Sequence, residues 1–419
     1  VIQQSFISKA PGAPVANVPR ASLLPIFLIV LVDVLGLTIV LPLLPLYAER
    51  FHASALVAAL LVPTYSACQL ISGPLLGNLS DRVGRRPVLL VSQLGTCLGF
   101  LMIGRAESLW MLFAGRVLDG LTAGNLTVAQ AYIADNSTAE NRARAFALIG
   151  IAFGLGFMLG PVAAASLSQY SLHLPFYVAA GLSATSFLFT LTLLRREPPN
   201  RPRESGDEAG PAGRRPSLFA FGLYARYFRW PRVNGILVEF FLYQLAFACF
   251  TSGFALFAER RFTWHGAPFT PREIGYTYAF GAIVGLLVQG GLIGRLVKRF
   301  GEAKLAFWGL VTLGAGYAAL GHVEPVGGLL VAIGLGSFGN AVLRPALTSL
   351  LSQLVSREEQ GAALGLFQSL ASLAAVAAAP LSGWLIGKNY LHAWGWVAGL
   401  FCLLGLFASR FGSGRKMAA

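Results

Sequence analysis

Charge is what this 419-residue chain has least of. Asp, Glu, Lys and Arg together make up 12% of it, about half the share of an ordinary soluble protein. So few charges cannot cover a water-exposed surface, and a lipid bilayer is the expected solvent. Cysteine and histidine are scarce as well. Cys68, Cys97, Cys249 and Cys402 all fall in apolar runs with neither CxxC nor metal-ligand spacing, so they read as small packing residues. His52, His173, His265, His322 and His392 fall at expected helix ends or surface connections, so none is placed to carry a proton through the apolar interior. No HExxH, P-loop or GxSxG stretch occurs, so neither enzymatic chemistry nor a metal or cofactor is expected.

What is present is apolar. Hydrophobic residues make up 55% of the chain and mean hydropathy is +0.65. The net charge of +14 sits in short connections rather than on one polar face, which argues against nucleic acid as partner. About 20 apolar residues cross a bilayer as a helix. Twelve such segments are expected, at 24–46, 56–77, 87–105, 108–129, 145–167, 174–194, 235–258, 274–294, 304–321, 326–349, 361–384 and 392–409. The fold class is therefore an all-α membrane protein. With the N-terminus on the cytoplasmic side, 24 Lys and Arg fall in cytoplasmic tails and connections and 6 outside. That bias fixes both termini as cytoplasmic. No cleavable leader is evident, because the first apolar run is long enough to span.

The longest connection, 195–234, contains RREPPNRPRESGDEAGPAGRRP. Its Pro, Gly and charge content is that of a linker, ending in a short amphipathic helix expected at 218–228. It divides the chain into a cytoplasmic tail (1–23), a six-helix half (24–194), the linker, a second six-helix half (235–409) and a second tail (410–419). The halves echo each other. LPLYAERF (44–51) matches FALFAERRF (254–262), and Gly73, Gly77, Leu79, Arg82 and Gly84 recur 217 positions later as Gly290, Gly294, Leu296, Arg299 and Gly301. A duplicated six-helix unit implies a carrier with its site between the halves.

The stretch GNLSDRVGRRP (77–87) joins the second and third segments. Gly84 provides a tight turn and Pro87 suits the first turn of the next helix. Asp81 can pair with Arg82, Arg85 or Arg86, while Gly73 and Gly77 permit close approach of another helix. This ordered motif resembles the cytoplasmic motif of the major facilitator superfamily. There it braces the two halves and helps gate the inner face. Asp135 in AYIAD matches a family position that pairs with the motif's arginines. DVLGLTIVLPLLP from Asp33, GRVLDGLTAGN from Gly115 and GLGFMLGP (154–161) resemble the first, fourth and fifth helices of the drug:proton antiporters, the last being their antiporter motif. The tetracycline-resistance efflux carriers are the nearest subgroup. The resemblance implies two pseudo-symmetric six-helix bundles and proton-coupled export of a small molecule from a bacterial inner membrane. It departs at Gly99 and Leu313, where the tetracycline carriers have acids, and at Ala164 and Ala165, which replace a glycine pair. These departures argue against tetracycline itself as the substrate.

Five charges fall inside apolar segments: Asp33, Arg116, Asp119, Glu239 and Arg344. Charge at mid-bilayer costs about 2.5–3.5 kcal/mol on insertion scales. Three acids against two bases leave one carboxyl able to be neutral, since burial disfavours the ionised form. Asp33 is the first choice for a proton site, the alternative being a structural salt bridge with Arg116. Arg116 and Asp119, spaced i, i+3, share a helix face and either pair structurally or take part in coupling. Glu239 either functions there or snorkels to the interface. Arg344, just before Pro345, either meets an anionic substrate or balances Glu239. Tyr65, Gln69, Asn125, Gln130, Tyr243, Gln244, Gln289, Asn340 and Gln368 are cavity-lining or interhelical hydrogen-bonding residues. Gly150, Gly154, Gly156 and Gly160 are expected to form one smooth packing face, bent at Pro161.

Three functions stay open on these residues. The favoured one is a monomeric, proton-driven exporter of an amphipathic or drug-like compound, with lipid as its surroundings. A facilitator or symporter for a metabolite such as an organic anion is the second. A transporter-like membrane sensor, reading a soluble partner through the 195–234 linker, is the third.

Overall fold

In a computed structural model the backbone is described for residues 24–135, 142–194, 227–355 and 360–412. Side chains of 74, 134–135, 142–147, 231–232, 360–362, 364 and 410–412 lie outside this description. So do most of the amphipathic helix expected at 218–228, both tails up to 23 and beyond 412, and the Asp135 side chain. The helices are α1 (Leu24–Val40), α2 (Leu44–Glu49), α3 (Ala55–Ala59), α4 (Leu61–Val83), α5 (Arg85–Gly104), α6 (Leu109–Leu121), α7 (Asn125–Asp135), α8 (Arg142–Ser168), α9 (Leu174–Leu193), α10 (Pro231–Arg261), α11 (Pro271–Leu287), α12 (Ile293–Leu320), α13 (Val326–Leu354), α14 (Gln360–Gly387) and α15 (Leu391–Gly412). A π-helical turn, Val288–Leu292, joins α11 to α12. Nine helical stretches among the described residues are long and apolar enough to cross a membrane. The other expected crossings fall on broken elements.

Each break has a local cause. The expected 24–46 segment stops at Val40, and a turn at 41–43 precedes α2; Pro42 and Pro45 there lack the N–H that a continuous helix needs. The expected 108–129 segment splits at 122–124. There Gly120 and Gly124 sit so close to neighbours that a Cβ would lie 2.7 Å from Tyr65 O and 2.7 Å from Ser92 Oγ respectively. The helical run Pro271–Leu320 is 50 residues long, far more than one crossing needs. It breaks at Gly301, whose φ of 74° and ψ of 158° are non-helical. Its counterpart in the first repeat, Gly84, has φ 100° and ψ 156° and ends α4. Both lie in a region that residues with a Cβ avoid, so the two copies of the motif turn the chain in the same way.

Between α10 and α11 the strands β1 (Thr263–Trp264) and β2 (Ala267–Pro268) pair antiparallel. His265 and Gly266 have positive φ, as a two-residue hairpin turn requires. Thr270 then caps α11 in a capping box with Glu273, with Pro271 at the first helical turn.

The packing repeats as the sequence does. In the first part α1 packs on α8 and α9, α5 on α6 and α9, and α4 on α6; in the second, α10 packs on α14 and α15, α12 on α13 and α15, and α11 on α13. Across the two sets, α8 meets α11 and α14 meets α3 and α4. That cross-contact is itself symmetric under exchange of the two sets.

Candidate functional site

Asp33, Arg116 and Asp119 come together. Arg116 Nη1 donates to Asp119 Oδ2 at 2.9 Å, with 1% and 4% of the side chains exposed. Its Nε donates to Leu61 O at 3.4 Å, and its guanidinium lies 4.5 Å from the Tyr65 ring centre. Tyr65 Oη accepts from Gln69 Nε2 at 2.9 Å. The i, i+3 spacing on α6 produces this pair directly. Asp33 comes from α1, with Ser186 of α9, Asn125 of α7 and the charge of Asp119 nearest to its carboxyl. Neither neighbour closes a hydrogen bond of ordinary geometry: both Asp33 oxygens, and Asn125 Oδ1, are shielded from solvent without a hydrogen-bond partner. Ser186 Oγ is engaged elsewhere, accepting from Gln93 Nε2 at 2.8 Å and donating to Ile29 O at 3.4 Å. A shielded carboxyl beside a closed ion pair is a group that a proton can neutralise at little structural cost. The roles of Ser186 and Thr96, the latter beside Asp119, were missed because lone hydroxyls in apolar helices carry no spacing signal.

The second half is arranged differently. Tyr243 Oη donates to Asn340 Oδ1 at 2.5 Å. Asn340 helps line a recess of about 40 Å³ with Phe247, Phe250, Tyr317, Ile333 and Ser337. Phe250 and Tyr317 stack there with ring centres 5.1 Å apart. Arg344 is exposed one turn beyond Asn340. Glu239, one turn before Tyr243, is 2% exposed; it does not snorkel to an interface, because its stretch of α10 is covered by neighbouring helices. Gln244 is half-buried, and Gln130, Gln289 and Gln368 are exposed. A larger groove of about 590 Å³ between α12 and α15 is lined by apolar side chains such as Leu310, Val397 and Leu403. With no ionisable group, it is not the site.

In the 77–86 motif, Asp81 pairs with Arg85 at 2.5 Å, and Arg85 Nη1 donates to Ser80 Oγ at 2.6 Å. Among the described residues no acid pairs with Arg86. Its Nε and Nη2 donate to Thr190 O at 3.2 Å and Leu191 O at 2.5 Å, where the end of α9 leaves carbonyls without helical donors. Arg82 is exposed. Gly77 does receive a neighbour, since a Cβ there would lie 3.3 Å from Thr127 Cγ2.

The four glycines of α8 form two faces, not one. A Cβ at Gly156 or Gly160 would strike Val34 Cγ1 at 2.5 Å or Thr38 Oγ1 at 2.1 Å on α1. At Gly154 it would meet only Leu286 of α11, at 3.5 Å, and at Gly150 nothing within 4 Å. Positions 154 and 156 lie about 200° apart around a helix, so the two i, i+4 pairs point to opposite neighbours. Thr38 donates to Gly156 O at 2.8 Å, sealing that contact. Beyond Pro161, Gly275 of α11 fits against Pro161 O and Ala165.

The repeated segments 44–51 and 254–262 also meet. Arg260 Nη2 donates to Glu49 Oε1 at 2.5 Å and its Nη1 to Ile386 O at 3.0 Å, with Glu259 next to Glu49. Gly383 sits on the backbone of Leu56 and Ala55 nearby. This seam was legible only as a repeat. Nothing in either copy announced that the two would touch. His173, placed by the sequence at a surface connection, is half-buried, with Nδ1 2.9 Å from Tyr47 Oη and 2.9 Å from Gly104 O.

A duplicated helical fold with ionisable side chains gathered inside apolar helices defines a multi-pass membrane carrier. The Major Facilitator Superfamily model matches residues 26–326 and again 269–415, and the chain belongs to that superfamily. It is similar to the class C tetracycline resistance protein of Escherichia coli, 34% identical over 83% of this chain and 85% of that one. It is also similar to multidrug resistance protein 2 of Bacillus subtilis, 26% identical over 91% and 93%. The crystal structure of the human organic anion transporter MFSD10 (TETRAN) shares the fold with a TM-score of 0.70, covering 93% of this chain and 99% of that one at 24% identity.

Proposed function

We propose that the chain exports a small amphipathic compound in exchange for protons, by alternating access between two six-helix halves, 24–194 and 235–409. The observation that carries this reading is the shielded Asp33 carboxyl, without a well-formed hydrogen bond, beside the closed Arg116–Asp119 pair. Protonation of Asp33 and binding of substrate exclude each other, so one alternates with the other and the proton gradient drives export. Arg116 and Asp119 hold the helices around that carboxyl and transmit its charge state. The mirrored packing of the two helix sets supports twelve crossings arranged as two bundles. Relatives named for tetracycline and multidrug resistance support efflux as the direction.

Both termini and the 77–86 motif lie on the cytoplasmic face of an inner membrane, by the excess of Lys and Arg there. The Glu49–Arg260 seam then faces outward and closes the outer end. The 77–86 motif and Asp135 gate the inner end. Tetracycline is not expected to be the substrate. A Cβ at Gly99 would lie 2.9 Å from Gly115 O and 3.0 Å from Asp119 Cβ, which leaves no space for an acid on that face. Leu313 is wholly buried.

The test is exchange in everted vesicles, read with a pH-sensitive dye as substrate is added. Asp33→Asn is expected to abolish the substrate-induced proton signal. A variant with full proton exchange would remove Asp33 from the mechanism, and substrate flux indifferent to the pH gradient in the parent protein would favour a facilitator.

A further inference from the structure

Arg344 stands in the middle of α13 and is exposed, and no ion pair joins it to another described residue. Its direction follows from its neighbours. Asn340, one turn earlier on the same face, is bonded to Tyr243 of α10. Tyr243 is 1% exposed, and the Arg344 charge lies close enough to act on it. Ile333, Ser337, Asn340 and Arg344 follow the i, i+4, i+7, i+11 stripe of one helix face. Arg344 therefore continues the face that lines the aromatic recess, and does not point away from the bundle. The other charge approaching from α10 is Glu239, which is buried and has contacts of its own. In the other half Asp119 is committed to Arg116, Asp81 to Arg85 and Glu49 to Arg260.

A cation kept in an apolar span costs free energy unless it faces water and has a task. A guanidinium also suits a planar anionic group, which it binds through two parallel hydrogen bonds. Phe247, Phe250 and Tyr317 line the recess that Asn340 edges, one turn before Arg344, and offer faces and edges to a flat ring. The recess of about 40 Å³ is too small for a whole ring, and Arg344 is exposed one turn beyond its Asn340 edge. We propose that Arg344 is the anion contact of the substrate site, and that the transported compound is an amphipathic organic anion whose acidic group pairs with Arg344 while its flat apolar body packs on the Phe250–Tyr317 wall. This rests on the transport reading and names its substrate class. It also has an electrical consequence. Exchanging a monoanion for one proton moves two charges, so an interior-negative membrane potential assists export; exchanging a monocation for one proton moves none.

The test uses the full chain in lipid nanodiscs and proteoliposomes with three probes sharing one ring system: 2-naphthoate, neutral 2-naphthamide and cationic 2-naphthylmethylammonium. Binding is expected to be about tenfold tighter for the anion than for either other probe, the worth of one charge-assisted contact. Arg344→Gln is expected to bring the anion-to-amide ratio to about one. Arg344→Lys, which keeps the charge and loses the paired geometry, retains part of it and serves if the glutamine variant does not fold. Export of 2-naphthoate in proteoliposomes is expected to accelerate with membrane potential. Tightest binding of the cation, equal binding of all three, absence of binding, or an Arg344→Gln loss equal for all probes would overturn the assignment. Naphthoate flux that depends on Arg344 but ignores the pH gradient would leave it standing and remove the antiport reading instead. Cation flux coupled to protons would do the reverse.

Discussion

Arg116 and Arg344 stand on α6 and α13, helices with equivalent places in the two mirrored sets of contacts, yet the protein treats them in opposite ways. Arg116 is 1% exposed and locked to Asp119, with Asp33 alongside. Arg344 is exposed, without an ion pair to another described residue, one turn beyond Asn340 at the edge of an aromatic recess. A duplicated scaffold has thus kept its packing and diverged in its charges. One half closes acids and base into a compact cluster suited to holding or releasing a proton. The other presents Arg344, a cation suited to a ligand. Chemistry is assigned to each half by which of its charges are satisfied internally.

The largest effect that would sharpen this contrast belongs to the cluster. Asp33→Asn is expected to lower gradient-driven exchange by about a hundredfold, the upper range for coupling between two sites, as measured by substrate uptake into everted vesicles. Next comes the ion pair. Asp119→Asn leaves a buried guanidinium without its counter-charge and is expected to cost about 3 kcal/mol of stability, whereas Arg344→Gln is expected to stay within about 0.5 kcal/mol of the parent; thermal unfolding in detergent compares them. Equal losses would erase the distinction between the two arginines.

A smaller contrast lies within α8. Gly160→Ala drives a methyl onto Thr38 and is expected to destabilise by about 1–3 kcal/mol, while Gly150→Ala, with open space before it, is expected to be neutral or slightly stabilising. The smallest effect is at the outer seam. The Arg260 and Glu49 side chains are 32% and 23% exposed, so Arg260→Gln is expected to cost only about 0.5 kcal/mol. It is nonetheless expected to raise labelling of a cysteine introduced at Glu49 by a membrane-impermeant thiol reagent, because the closed end is held less firmly.

Much of this was legible in the residues. The turn at Gly84 and its echo at Gly301 followed from a repeat of five positions, and the Arg116–Asp119 pair from helical spacing. What stayed hidden depends on rotation and contact. Gly154 and Gly156 look alike in a glycine-rich run, but two residues turn a helix by about 200°, so they face different partners. Glu239 looks peripheral in the linear sequence, yet the chain buries it. Glu49 and Arg260 lie 211 residues apart, and their meeting is a property of assembly. Arg86 caps α9 because that helix ends beside it, which no motif spells out.

The division of labour between the halves is tested most directly by measuring protons moved per substrate and probe selectivity together, in proteoliposomes carrying Asp33→Asn or Arg344→Gln. Asp33→Asn is expected to lose proton movement while keeping the preference for 2-naphthoate, and Arg344→Gln to lose the preference while keeping proton movement with whatever substrate it still carries. Variants that each lose both properties in equal measure, or an Asp33→Asn protein that still exchanges protons at the parent's ratio, would contradict the account.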